Sequence, residues 1–394
     1  MSGRFRGLQK MRIGLNILHS HPGTGGARNY AANLLLALAL REDDCQYVAY
    51  CTPQSADLVP DDRRFQVRLV RLLNRSRGER ILYEQSLLPF LFYRDKVDCV
   101  HWFANNMPLL HLTPSIVTLH DFKFADRPSE SSFAKSHYQH WMARWVCRNA
   151  DMLAPISEST AQDAVERFGA NPRRITVVPN ALGNSFQPLP AKEVDEFRRR
   201  FQLPSKFWLY VAHAYSHKNH ARLFAAYRKH LQSTCNWPLV LRADTVPGEP
   251  PLEKIATELG IADSIIWLPR LSWEDMPRLY CAASALIFPS LYEGCGIPVL
   301  EAMACGCPVA AARIRATREF AGDAAWMFNP ESIDEIALVM DRFVSDPLKR
   351  KVFAERGLKR AARYSAPSVG EKLFALYRRT VQNGIHLSRS SELN

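Results

Sequence analysis

The 394-residue chain has no C-x-x-C pair, no internal repeat and no low-complexity segment. It has no apolar run near the roughly 18 residues that span a bilayer, which excludes a transmembrane helix. Its nine cysteines are odd in number and scattered from Cys45 to Cys307, several in apolar surroundings such as Cys99 and Cys281. Cys305-Gly-Cys307 is too tight for a zinc knuckle, so the cysteines read as reduced core thiols of a cytosolic protein. No G-x-G-x-x-G follows the first apolar run, which removes the main signature of a dinucleotide oxidoreductase. Arg4, Arg6, Lys10 and Arg12 precede Ile13–Leu18, but Asn16 interrupts that run and no small-residue cleavage site follows. The segment therefore reads as a first strand, not a signal peptide, with residues 1–10 as an extension ahead of Met11. Acidic residues are under-supplied: 39 against 51 basic, a net charge of +12. That surplus favours an anionic partner, whether nucleic acid, anionic lipid or a phosphorylated small molecule. No nucleic-acid motif is present, so nucleic acid is not expected. With 47% apolar and 23% charged residues, a disordered chain or a disulfide scaffold is excluded.

Strand-like and helix-like runs alternate. Met11–Leu18, Gln46–Thr52, Val97–Phe103, Ser115–Leu119, Asp151–Pro155 and Arg174–Val178 read as strands. Ala27–Ala39, Ser131–Ala150 and Ser157–Phe168 read as helices between them. The alternation pauses over Gly183–Ser205, which carries a charged helix at Lys192–Phe201. It restarts at Lys206–His213 with a helix from Asn219 and strands near Pro238–Arg242, Ser264–Trp267, Ala285–Phe288 and Pro308–Ala311. Such alternation implies parallel sheets with helices on both faces. The economical reading is two α/β domains, 1–190 and 191–365, with 366–394 a final helix and tail. Ligands in such folds bind at the carboxyl ends of strands, and two facing domains would enclose a cleft.

The most informative stretch is Phe288-Pro-Ser-Leu-Tyr-Glu-Gly-Cys-Gly-Ile-Pro-Val-Leu-Glu-Ala-Met-Ala-Cys-Gly-Cys-Pro308. A strand ends at Phe288, and Gly294 and Gly296 form an elbow. Pro298 suits the first position of a helix, which Gly306 stops. No Ser, Thr, Asp or Asn caps the helix start, so its backbone donors and dipole are open to a phosphate. Glu293 precedes the elbow and Glu301 lies in the first turn beyond it. In one straight helix they would stand roughly 12 Å apart. Across the elbow they can address two parts of one extended ligand, each accepting hydrogen bonds from vicinal hydroxyls. Alternatively, Glu301 is a surface helix residue and the glycines only close a turn.

This stretch resembles the Glu-x7-Glu signature of retaining GT-B glycosyltransferases, specifically glycosyltransferase family 4. The resemblance covers nearly the whole chain. Gly25-Gly26 with Tyr30 resembles the N-terminal glycine loop, and Val117-Thr-Leu-His-Asp121 the acceptor-side His-Asp segment. Ala154–Ser159 and Val177–Ala181 are similar to the interdomain approach, and Tyr210–Asn219 to the phosphate loop. The resemblance implies a GT-B fold: two Rossmann-like domains whose parallel sheets face a central cleft, acceptor on the first and donor on the second. It implies that Glu293 binds donor-sugar hydroxyls and stabilises the reacting centre, while Glu301 holds the ribose. Backbone N–H groups of Gly294, Cys295, Gly296 and Ile297 would touch sugar and diphosphate. Lys218 would neutralise the diphosphate, and Gly25 and Gly26 would bring donors from the first domain. His120, with Asp121, would face donor sugar or acceptor. His217, where the family often has arginine, and Arg270, near the expected base contacts, are further candidates, and Ala212 stands where the family has glycine. No metal or cofactor is implied; the nucleotide diphosphate sugar is the donor substrate. His213, His217 and His220 tempt a zinc reading, but they straddle a loop and no nearby Cys or acid completes a site.

The basic excess is uneven. Arg63 to Arg80 holds seven arginines and one acid, Glu79. Ser131–Ala150 interleaves Lys135, Arg144 and Arg148 with Tyr138, Trp141 and Trp145. That pattern suits an anionic membrane surface, or else a helix whose Trp stripe packs inward. The expectation is a cytoplasmic, peripherally membrane-associated hexosyltransferase of surface-polysaccharide or lipopolysaccharide assembly, moving mannose from GDP-mannose to a lipid-linked or oligosaccharide acceptor. A GT-B epimerase or phosphorylase, and a basic adaptor without catalysis, are the alternatives.

Overall fold

The structure is a computed structural model describing residues 10–21, 26–72, 76–126, 133–233, 236–246 and 248–391. The chain forms two compact units, Met1–Ala181 with Ala366–Asn394, and Leu182–Ser365. Each is built on a six-stranded sheet in which every pairing is parallel.

The first sheet contains β1 (Arg12–Asn16), β2 (Gln46–Cys51), β3 (Phe65–Leu69), β4 (Cys99–Trp102), β5 (Ser115–Leu119) and β6 (Met152–Pro155), in the order β3-β2-β1-β4-β5-β6. Strands β4, β5 and β6 are buried along their whole length, as parallel strands covered on both faces must be. β3 lies at the edge and alternates apolar residues with the polar Gln66 and Arg68, so its pattern is submerged in the arginine-rich run. Two of those arginines are structural. Arg64 bonds the Asp62 carboxylate and the carbonyls of Ala39 and Arg41, and Arg68 pairs with Asp95. Arg174–Val178, expected as a strand, makes a 3-10 turn at Pro172–Arg174 and a single bridge from Ile175 to Leu153. Its pairing with β6 is short: the Thr176 and Val178 amides donate to the Leu153 and Pro155 carbonyls at 2.9 and 3.0 Å, and Pro179, which has no N–H, ends it.

The helix Glu158–Phe168 starts where Ser157 Oγ accepts from the Thr160 amide at 3.0 Å and ends at left-handed Gly169. In the helix Phe133–Asn149, Tyr138 and Trp145 pack against the core of the first unit, while Trp141 and Phe133 stay exposed. The aromatic stripe therefore divides between the two readings of that segment. The C-terminal helix Ala366–Ser391 lies on the helix Gly26–Ala39. A Cβ on Gly370 would come within 2.5 Å of the Ala37 carbonyl oxygen, so the close approach requires glycine there.

The second sheet contains β7 (Trp208–Val211), β8 (Leu239–Arg242), β9 (Ile265–Leu268), β10 (Ala285–Phe288), β11 (Val309–Ala312) and β12 (Ala325–Phe328), in the order β12-β11-β10-β7-β8-β9. Both orders are the doubly wound arrangement, which reverses direction beside the first strand of each unit. The change of unit falls after Ala181, earlier than residue 190. Segment 182–190 packs on the second unit: the Leu182 amide donates to the Tyr364 carbonyl, and Phe186 meets Trp273 and Tyr280 edge to face or tilted. Among the described residues no helix is long and apolar enough to cross a membrane, and the eight described cysteines are free, seven of them buried.

Candidate active site

In the second unit the sheet order reverses between β7 and β10, where an open α/β sheet forms its ligand crevice. The loops after those two strands carry the sequence signatures. After β7 the chain turns through Ser216–Lys218, and Asn219 takes a left-handed conformation before the helix His220–His230. Asn219 Nδ2 donates to the carbonyls of Pro289 and Pro330 at 3.0 and 2.7 Å. The Leu291 amide donates to the His217 carbonyl at 2.8 Å, tying the two loops together. The result brings Lys218 Nζ to 2.6 Å from Glu293 Oε1, with both side chains mostly buried. The Lys218 ammonium also stands 6.0 Å from the centroid of the Phe288 ring.

Gly296, with φ of +74°, turns the chain into the helix Ile297–Ala304. Gly294 has no such conformation, so one glycine makes the elbow. The helix start has no side-chain cap, and Pro298 stands at its second position. Pro298 carries no N–H and the Val299 amide donates to the Gly296 carbonyl at 3.0 Å, so the Ile297 amide heads a helix start that no side chain caps. Cys295 is buried in this turn. Left-handed Gly306 lies just beyond the helix end.

Glu301 belongs to the second turn of that helix, not the first, and is only 6% exposed. It is no surface residue. Tyr280 Oη donates to Glu301 Oε2 at 2.7 Å. Burial pushes the Glu301 carboxyl up to about 7, and the Tyr280 hydrogen bond opposes that rise. A carboxylate held there is short of partners, the condition in which vicinal hydroxyls are good ligands. Tyr280 was not singled out from sequence, because its contact to Glu301 spans 21 positions between two helices.

His217 is buried and stacked on Tyr215 with centroids 5.5 Å apart. It occupies the loop interior, not an exposed position for a cationic finger. His213 is half exposed, 3.4 Å from Asp244, which also takes Arg242 at 3.0 Å. His220 is buried beside Tyr210, and burial pushes its pKa down to about 3. Arg270 lies exposed after β9. Among the described residues no group of three His, Cys, Asp or Glu side chains is arranged to hold a metal.

In the first unit, His120 and Asp121 follow β5. The Asn105 side chain holds this turn, accepting from the His120 amide and donating to the Asp121 carbonyl, both at 2.7 Å. His120 Nε2 lies 2.9 Å from the Phe103 carbonyl, which only accepts, so Nε2 carries the proton and Nδ1 keeps its lone pair in the neutral ring. Burial lowers the His120 pKa, so the ring is neutral at physiological pH. Tyr30 packs edge-on against it at 4.7 Å. Behind Tyr30 runs a buried chain: Tyr30 Oη to Thr118 Oγ1 at 2.8 Å, Thr118 to His101 at 2.9 Å, and His101 to Tyr377 Oη at 2.9 Å. His19, after β1, is also buried and kept neutral by that burial, with the Arg80 charge acting in the same direction. Its only sequence signal was its position at the carboxyl end of the first strand. Gly26 opens its helix, and a Cβ there would meet nothing within 4 Å. Gly25 lies outside the described residues.

Two family models match the chain: Glycosyltransferase Family 4 over residues 24–182 and Glycosyl transferases group 1 over residues 191–360. O-antigen chain mannosyltransferase B of Escherichia coli is 26% identical over 277 residues, 69% of this chain and 72% of that protein. The MMP alpha-(1->4)-mannosyltransferase of Mycolicibacterium hassiacum is 28% identical over 288 residues, 68% of this chain and 66% of that protein. Sucrose-phosphate synthase from Thermosynechococcus elongatus superposes with a TM-score of 0.75 at 17% identity, covering 94% of this chain and 99% of that one. At that identity the likeness speaks for the fold alone, two doubly wound parallel sheets of GT-B type. With one model on each half and both glutamates of the signature on the β10 loop and the helix after it, the chain belongs to the glycosyltransferases of the GT-B fold, family 4.

Proposed function

We propose that the protein transfers a hexosyl group from a nucleotide diphosphate sugar to a hydroxyl of a saccharide or lipid-linked acceptor, with retained anomeric configuration and without a metal ion. The observation that carries this reading is the convergence of Lys218 on Glu293 beside an uncapped helix start at the sheet's switch point. Each member has a role in a dissociating glycosyl diphosphate. The helix start and Lys218 take the diphosphate, whose negative charge grows as the glycosidic bond breaks. Lys218 exchanges Glu293 for the phosphate oxygens, and Glu293 is released to accept hydroxyls of the donor sugar. Glu301 takes the ribose hydroxyls. The leaving phosphate accepts the proton of the attacking hydroxyl on the same face, so no protein nucleophile is required. Glu293 then acts as a stabiliser, unlike the close carboxylate pair of retaining glycosidases. His120 of the first unit, neutral with its proton on Nε2, keeps the Nδ1 lone pair as a hydrogen-bond acceptor.

Mannose from GDP-mannose is the proposed donor, supported by relatives named as mannosyltransferases. The O-antigen relative supports a place in surface polysaccharide or lipopolysaccharide assembly. Peripheral association with the cytoplasmic face of an anionic membrane is part of the proposal, supported by the net charge of +12 and the exposed Trp141. The test is calorimetry of GDP, UDP, ADP and their sugar conjugates without divalent metal. Binding of one nucleotide class, weakened in Glu301→Ala, is expected. No binding by any would overturn the assignment. Proton NMR of the product reads the anomeric configuration and separates transfer from epimerisation or phosphorolysis.

A further inference from the structure

Behind Glu301 the second unit gathers thiols that the transfer reaction does not use. Cys281 lies in the last turn of the helix Asp275–Ala282, directly after Tyr280. Cys305 and Cys307 follow the helix that carries Glu301. Among the described cysteines, Cys281 alone is not buried. Its Sγ stands 3.5 Å from the Gln187 carbonyl oxygen and 3.6 Å from that of Cys305. The Cys281 and Cys305 thiols also share a hydrogen bond. Cys307 is engaged elsewhere, with its buried Sγ 3.7 Å from the Pro308 carbonyl oxygen and 4.0 Å from that of Ala283. We propose that Cys281 and Cys305 form a hydroperoxide-reactive dithiol, whose oxidation to a disulfide lowers nucleotide affinity at Glu301. The effect on the nucleotide rests on the transferase reading, and the thiol chemistry stands apart from it.

The surroundings assign the two roles. The Cys305 S–H donates to the Cys281 sulfur and holds that thiol below its usual range, against burial, with help from the Leu189 amide and opposition from the Glu193 carboxylate. The same hydrogen bond, and burial after it, push the Cys305 thiol up, so it stays protonated. Cys281 is therefore the accessible nucleophile and Cys305 the resolving thiol beside it. The Cys281 thiolate attacks one oxygen of the peroxide and the O–O bond breaks. The other oxygen leaves as water or an alcohol, taking up a proton, and the proton Cys281 released completes the sulfenic acid. The Cys305 sulfur then attacks the Cys281 sulfur: the S–S bond forms, the S–O bond breaks, and hydroxide leaves with the Cys305 proton as water. The two sulfurs together supply the two electrons that reduce the peroxide. Closure to a bond of about 2 Å pulls the two helix ends together. One end carries Tyr280, whose hydroxyl holds Glu301 at 2.7 Å, and at the other the Cys305 amide donates to the Glu301 carbonyl at 3.1 Å. The bond therefore displaces the carboxylate assigned to the ribose.

The experiment treats the full chain with hydrogen peroxide, blocks free thiols and maps peptides by mass spectrometry. A Cys281–Cys305 cross-link that dithiothreitol reverses is expected in the wild type. In Cys305→Ala the Cys281 sulfenic acid should persist and take dimedone, and in Cys281→Ala Cys305 should stay unmodified. Calorimetry with GDP and UDP should show affinity falling about tenfold on oxidation, the worth of one hydrogen bond to a charged group. Dithiothreitol should restore it, and peroxide should not change it in Cys281→Ala. No cross-link in the wild type, a cross-link from Cys281 to Cys307, or dimedone on Cys305 in place of Cys281 would overturn the dithiol. A cross-link with unchanged affinity would overturn its coupling to the nucleotide. Absence of nucleotide binding by the reduced wild type would instead overturn the transferase reading, while the peptide map still decides the thiol chemistry.

Discussion

Replacing Glu301 by glutamine should make the protein more stable and the donor site worse. The Glu301 carboxyl is raised from an ordinary 4.5 to about 7 by burial. Between those values the folded state keeps a proton that the unfolded chain has lost. The stability associated with this group is therefore complete below pH 4.5 and declines as pH rises to about 7. At about 1.4 kcal/mol per tenfold change in proton affinity, the decline amounts to about 3 kcal/mol at pH 8. Glu301→Gln keeps an acceptor for the Tyr280 hydroxyl and removes the charge, so it should recover most of that amount. The assay is urea unfolding of wild type and variant at pH 5 and pH 8, followed by tryptophan fluorescence of the second unit. The variant should gain about 3 kcal/mol at pH 8, roughly 2–4 °C in melting temperature per kcal/mol for a domain of this size. At pH 5 the gain should shrink to about 1 kcal/mol or less. Nucleotide affinity should fall in the variant, and in the wild type it should weaken as pH drops below 7, because the ribose hydroxyls bind the ionised form best. Equal stability of the two proteins at pH 8 would refute the claim that Glu301 is a buried ionised carboxylate. Unchanged nucleotide affinity would refute its role on the ribose.

Four further outcomes are expected. Lys218→Ala should weaken nucleoside diphosphate binding about 10- to 100-fold, the worth of a charge-assisted hydrogen bond of about 1.5–3 kcal/mol, as measured by calorimetry. Glu293→Ala should abolish transfer while leaving vesicle binding and the melting point of the first unit unchanged, measured by product formation, liposome flotation and calorimetric scanning. Gly370→Ala should destabilise the first unit by about 1–3 kcal/mol through overpacking against Ala37, with nucleotide binding in the second unit retained. Tyr377→Phe leaves His101 Nδ1 without its partner and should lower kcat without changing nucleotide affinity, if the chain through Thr118 and Tyr30 positions His120. Equal kcat would show that the chain is structural only.

Much of the fold was legible because parallel α/β units write a local code. Buried strands such as Ser115–Leu119 and Ala285–Phe288 are short apolar runs between helices, and their limits in the structure are those of the runs. Of the edge strands, the sequence marks β6 and β9 but not β3 and β12: β3 interleaves Gln66 and Arg68 with its apolar residues, and β12 is a four-residue apolar run too short to be told from a helix segment. In the arginine-rich segment, Arg64 and Arg68 are held by Asp62 and Asp95, pairings that charge composition does not reveal. Tyr138 and Trp145 likewise belong to the core side of their helix, which composition alone could not distinguish from a membrane-facing side.

By itself the sequence determined the doubly wound class, the elbow at Gly296, the uncapped helix after it and the two glutamates, because turn chemistry, capping and strand periodicity act over a few residues. Tertiary structure alone decided that Lys218 meets Glu293 across 75 positions and that Tyr280 reaches Glu301. Those pairings depend on which strand lies beside which in the sheet. Strand order is set by packing of whole layers, a non-local quantity that leaves no trace in the spacing of residues along the chain.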